Sequence, residues 1–100
     1  MGQVFTHGRW VVRPGSEGDF MAAWQELADW TGKEVAGSQW ARLLRDKSEP
    51  NVFFSFGPWD SVEAVETWRQ LPGFQDRLAR IRELLQDFEA HMCELAGELR

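Results

Sequence analysis

The sequence has no tyrosine and only one cysteine. With no phenol available, any proton transfer has to run through imidazole, carboxylate, thiol or water. Cys93 stands alone and can close no internal disulfide, and the Cys and His spacing of a structural zinc site is missing. The expectation for Cys93 is a small apolar residue inside a strand. Positive charge does not gather either: 11 Lys and Arg are interleaved with 16 Asp and Glu, for a formal net charge of −5. The electrostatic footprint of a nucleic-acid or anionic-membrane binder is therefore lacking. No apolar run is long enough to span a bilayer, and Met1 leads into a polar start with no signal-like pattern. The expectations are no nucleic-acid partner, no membrane partner and a cytoplasmic location. A glycine-rich phosphate loop, an HExxH pair and a nucleophile elbow are also absent, which sets aside the nucleotide, metalloprotease and hydrolase chemistries they serve.

What is present is globular: 43% apolar and 27% charged residues, with six Trp and seven Phe in 100 residues. A chain this short supports one shared core, so residues 1–100 are expected to form a single domain. Residues 4–12 are β-branched and aromatic and end at Arg13-Pro14-Gly15, a first strand. Ser16 then caps a helix, with Asp19 three residues on and Phe20, Ala23, Trp24, Leu27 and Ala28 at helical spacing, fading near Thr31-Gly32. Residues 38–45 and 52–59 read as an antiparallel hairpin across the polar turn 47–51. Asp60 caps a second helix with Glu63 at its third position, and Val62, Val65 and Trp68 share one side until Leu71-Pro72-Gly73 stops it. A further helix runs from Phe74 with Leu78, Ile81 and Leu85 on one stripe and an Asp76–Arg80 surface ion pair. Residues 88–95 read as a last strand, with a continuing helix as the competitor.

This order implies an α+β, ferredoxin-like antiparallel sheet with its helices on one face. Such a sheet should alternate apolar and polar residues. Instead, Val52, Phe54 and Phe56 fall on one side of their strand and Phe53 and Trp59 on the other, while the first strand separates Val4, Trp10 and Val12 from Phe5 and Val11. The face without helices thus needs a cover. A second copy supplies it most simply, giving a homodimer; loops or a rearranged helix of the same chain are the alternative.

Several stretches carry a family resemblance: residues 37–46 (GSQWARLLRD), 49–56 (EPNVFFSF), 59–64 (WDSVEA), then Trp68-Arg69 and Pro72-Gly73-Phe74. Together with the opening strand, Pro14-Gly15 and Phe20, they resemble the antibiotic biosynthesis monooxygenase family over nearly the whole chain. The resemblance implies a dimeric α+β barrel with a ligand pocket between sheet and helices. Some members oxidise quinols or polycyclic phenols with O₂ and no cofactor, and others degrade heme. The heme-degrading members' Asn, Trp and His fall at Gly8, Trp68 and Leu78, so only the Trp is kept and the iron ligand is missing. The cofactor-independent members' Asn and Trp at the end of the third strand fall at Ser55 and Trp59.

The resulting expectation is a site that takes a small aromatic molecule and needs no cofactor, lined by Trp10, Phe53, Ser55, Trp59, Trp68 and Phe74, with Ser55 bonding a substrate oxygen. Thr6 shares the helix-facing side of the first strand. Core packing is the competing explanation of Trp59 and Trp68. His7 points by parity to the opposite face, and His91 lies in the last segment, so neither is assigned as a base. The functional expectation is a cofactor-independent monooxygenase of an aromatic substrate; the alternative is a non-catalytic dimeric small-molecule-binding protein.

Overall fold

The computed structural model describes residues 2–100. In chain order it runs β1 (Val4–Val12), α1 (Glu17–Glu34), β2 (Arg42–Arg45), β3 (Val52–Trp59), α2 (Val62–Gln70), α3 (Pro72–Arg82) and β4 (Leu85–Glu94). The four strands form one antiparallel sheet in the order β2-β3-β1-β4, the expected ferredoxin-like α+β arrangement. No helix among the described residues is long and apolar enough to cross a membrane.

Strand parity sorts the side chains as expected. Trp10, Val12 and Phe53 face the helices and join Phe20, Trp24, Leu27, Phe74, Leu78, Ile81 and Leu85 in one core cluster; Trp59, Val35 and Val65 form a second. Six of these thirteen residues are aromatic: Trp10, Phe53 and Trp59 on the sheet and Phe20, Trp24 and Phe74 on the helices. On the opposite face, β1 and β3 present Phe5, His7, Phe54 and Phe56. The exposed Trp40 ring joins them, edge-on to Phe5 at 6.1 Å and to Phe56 at 5.9 Å.

Several local expectations are corrected. α1 continues past Gly32 to Glu34, where Val35 N–H closes it on the Thr31 carbonyl. Ser16 is its N-cap residue but makes no side-chain capping bond. The cap of α2 is Ser61, whose hydroxyl accepts from Ala64 N–H at 3.1 Å; Asp60 instead accepts from the Gln39 side chain at 2.9 Å. Val62 does not share the buried side of α2 and is exposed. Proline occupies the first turn of α3, which therefore begins before Phe74, and Leu85 belongs to β4 rather than to the helix. No Asp76–Arg80 pair forms among the described residues; the neighbouring Arg77 reaches across to Glu26 of α1 at 2.7 Å. Cys93 lies inside strand β4, as expected, but its side chain is exposed.

The largest difference is β2. The run 38–45 pairs regularly only over Arg42–Arg45, with one isolated bridge from Ser38 to Trp59. Between them the chain passes so close to Gly57 that a Cβ there would collide with the Trp40 carbonyl and Ala41. Gly37 starts this detour with φ +88°, packed against Ala64 of α2.

Candidate functional site

Between the sheet and the helices lies a cavity of about 650 Å³. Its floor comes from β1 and β3, its roof from α1, and its sides from α2, α3 and the 38–43 segment. Trp10, Ser55, Trp59, Trp68 and Phe74 all border it, so five of the six expected site residues converge on one space. Phe53 does not border it. That ring is almost completely buried, 4.9 Å from the Phe20 ring, and supports the floor from one end.

The wall is a connected aromatic surface. Trp59 lies 4.8 Å from Trp68, which lies 4.4 Å from Phe74 (centroid distances). At the other end Trp10 stacks on Phe88 at 4.3 Å and leans on Phe20 at 5.4 Å. Three of the indoles that line the cavity have their N–H held by a hydroxyl. Trp10 donates to Ser55 Oγ at 2.9 Å, Trp59 to Thr6 Oγ1 at 3.2 Å and Trp68 to Thr31 Oγ1 at 3.1 Å. Thr31 in turn donates to the Leu27 carbonyl at 2.8 Å, one turn back on α1. These bonds fix ring orientations, since a buried N–H left without a partner is costly.

Gly8 makes the Trp10–Ser55 bond possible. A Cβ at Gly8 would stand 2.8 Å from Ser55 Oγ and 2.9 Å from Trp10 Nε1. Alternation puts Thr6 on the helix-facing side of the first strand and the family resemblance matches Gly8 to a site position, but their partners, and the part played by Thr31, lie in cross-strand and helix-to-helix contacts that spacing along the chain does not reveal.

Ionisable groups keep to the edges. Asp29, Arg42 and Arg69 border the cavity, with Asp29 accepting from Gln25 at 3.0 Å and Arg42 lying over the Trp40 ring at 5.2 Å. His7 also borders it, but its ring packs on the opposite face, beside Phe54 and His91 at 6.3 Å each. His91 is exposed, 3.4 Å from Glu89. Among the described residues no group of three or more His, Cys, Asp or Glu is placed to hold a metal ion. The arrangement is a mainly apolar, aromatic-walled cavity with hydroxyl groups on its floor.

A family model for antibiotic biosynthesis monooxygenase matches residues 4–80. The chain belongs to this family. The match takes in β1 through most of α3, and so every residue placed at the cavity except Phe88 and Ala90. Solved structures agree with the family's fold. The chain is similar to SnoaB, a cofactor-independent oxygenase from Streptomyces nogalater, at 20% identity and TM-score 0.89, with 99% of this chain and 98% of that one covered. It is also similar to a putative antibiotic biosynthesis monooxygenase from Deinococcus radiodurans (20% identity, TM-score 0.83, 97% and 96% covered). A third, from Chloroflexus aurantiacus, shares 23% identity at TM-score 0.79, with 98% and 97% covered. No curated protein gives a significant match. Leu78, where the resemblance would put a heme-degrading member's His, is a buried aliphatic side chain on the cavity wall.

Proposed function

We propose that this family member is a cofactor-independent monooxygenase, working as a cytoplasmic homodimer, that holds an aromatic quinol or polyketide-like substrate in the cavity while O₂ reacts with it. The observation that carries the reading is the aromatic slot floored by oriented hydroxyls in a chain of this family. Such chemistry draws its electrons from the substrate, so the protein has to bind the ring, stabilise developing charge on a ring oxygen and keep bulk water away. Trp59, Trp68 and Phe74 supply one wall and Trp10 the other. Ser55 bonds a substrate oxygen, and Phe53 backs the floor.

A second reading, a dimer that binds an aromatic metabolite without converting it, draws support from the floor itself, which carries hydroxyls and indoles but no carboxylate or imidazole ring. Oxygen uptake separates the two. With hydroquinones and anthrones as substrates, the monooxygenase reading expects protein-dependent uptake that falls in Ser55→Ala. Saturable quenching of Trp fluorescence with no uptake above the protein-free rate would leave the binding reading in its place.

A further inference from the structure

The two central strands carry the same five-residue pattern, a hydroxyl residue, any residue, Gly, any residue, Trp. On β1 it is Thr6-His7-Gly8-Arg9-Trp10, and on β3 it is Ser55-Phe56-Gly57-Pro58-Trp59. Their antiparallel register places His7 opposite Phe56, Thr6 opposite Gly57 and Gly8 opposite Ser55. The pattern is therefore related to itself by a local two-fold axis through the His7–Phe56 pair. All six patterned residues border the cavity. Each Trp reaches diagonally to the hydroxyl of the other strand, Trp10 to Ser55 and Trp59 to Thr6. Each Gly stands opposite a hydroxyl residue and has no room for a side chain: at Gly8 the Ser55 hydroxyl and Trp10 indole take the space, and at Gly57 the backbone of Trp40 and Ala41 does.

This arrangement decides which way the hydroxyls can bond. A hydroxyl has one proton and two lone pairs. In Ser55 and Thr6 one lone pair is taken by an indole N–H, and among the described residues neither O–H has a protein acceptor. Accepting from an indole in an apolar surround also polarises the O–H and makes it a better donor. Trp10 and Trp59, each with its single N–H already given to a hydroxyl, have none left for a ligand. Diagonal neighbours on one face of an antiparallel pair lie roughly 7 Å apart, a span that suits two separate oxygens on one ring.

Resting on the aromatic-site reading above, we infer that the floor is a paired hydrogen-bond donor, Ser55 and Thr6, that selects planar aromatics bearing two acceptor oxygens across one ring, as in a quinone or the dioxygenated ring it derives from. Thr6 is then the second specificity-determining residue of the site, and Trp10 and Trp59 position the two donors instead of donating to the ligand themselves.

Calorimetric titration with two probes of the same shape tests this: anthraquinone-2-sulfonate, with two oxygens on the central ring, and anthracene-2-sulfonate, with none. Wild type is expected to bind the quinone at least tenfold more tightly. Ser55→Ala and Thr6→Val should each weaken quinone binding about fivefold while leaving the hydrocarbon's affinity unchanged, which also shows that the variants fold. The double variant should lose the preference for the quinone. If both probes bind equally to wild type, or if Thr6→Val leaves quinone binding intact, the paired-donor inference is wrong while the aromatic site stands. If neither probe binds, the aromatic-site reading falls with it.

Discussion

At Gly8 a missing side chain holds two others in place. The Trp10 ring is wedged between Phe88 and Phe20 and cannot retreat, so a methyl group at Gly8 would force Ser55 to rotate out of its 2.9 Å bond. Gly8→Ala is expected to cost about 1–2 kcal/mol in urea unfolding, from overpacking and the lost bond, and to weaken binding of quinone-type ligands. Gly32 provides the contrast. It lies inside α1 with open space around its Cβ position, so Gly32→Ala should stabilise by about 0.5–1 kcal/mol in the same measurement. Both residues are simply glycines in the sequence. Only the register, which sets Gly8 opposite Ser55, distinguishes them.

Helix ends and helix contacts show how far spacing alone can be trusted. Asp60 and Ser61 are both good capping residues, and Glu63 fits either alignment. Backbone direction settles the matter, because Asp60 N–H is drawn back to the Gly37 carbonyl at 2.9 Å while Ser61 takes the extended cap geometry. Thermal or chemical denaturation should accordingly find Ser61→Ala destabilising by about 1 kcal/mol and Asp60→Ala by clearly less. The junction of α1 and α3 makes a second case. The Trp30 ring lies against Gly73, and Arg77 stacks over it at 4.6 Å while bonding the Gly73 carbonyl and Glu26. A Cβ at Gly73 would enter the ring, so Gly73→Ala is expected to cost about 1–3 kcal/mol, with a shift in Trp emission reporting the displaced indole. Asp76 and Arg80 share one helix surface at pairing distance in sequence, but the bond that forms is from the neighbouring Arg77 to a second helix, whose position no local pattern contains.

As a whole the molecule is a slab, 40 × 34 × 19 Å in Cα extent, with a radius of gyration of 13.6 Å. A compact chain of 100 residues is expected nearer 12.7 Å, and one of this mass to expose about 5,800 Å²; this chain exposes 6475 Å². Part of the excess is the exposed C-terminal stretch 95–100; in addition, helices cover one side of the sheet and Phe5, Phe54, Phe56, Trp40 and Leu44 lie towards the other. Pairing with a second copy through that side is part of the proposed function. Sedimentation at micromolar concentration is expected to report a dimer, and Leu44→Asp, which places a charge at a 51% exposed position of β2, should shift the equilibrium towards monomer without unfolding the chain. A wild-type protein sedimenting as a compact monomer would remove the homodimer from the proposal.

The sequence by itself determined the order of strands and helices as far as α3 and most of the helix-facing residues, because alternation along a strand and recurrence along a helix are local consequences of backbone geometry; that the last segment is a strand and not more helix was decided by its pairing with β1. It also determined that both faces of the sheet would be apolar. Tertiary structure alone decided that β2 would shorten around Gly57, that Ser61 would cap α2, and that Thr6 and Ser55 would each hold an indole from the neighbouring strand. Those outcomes depend on which residues meet across strands and between layers, and such meetings are fixed by packing between segments far apart in the chain.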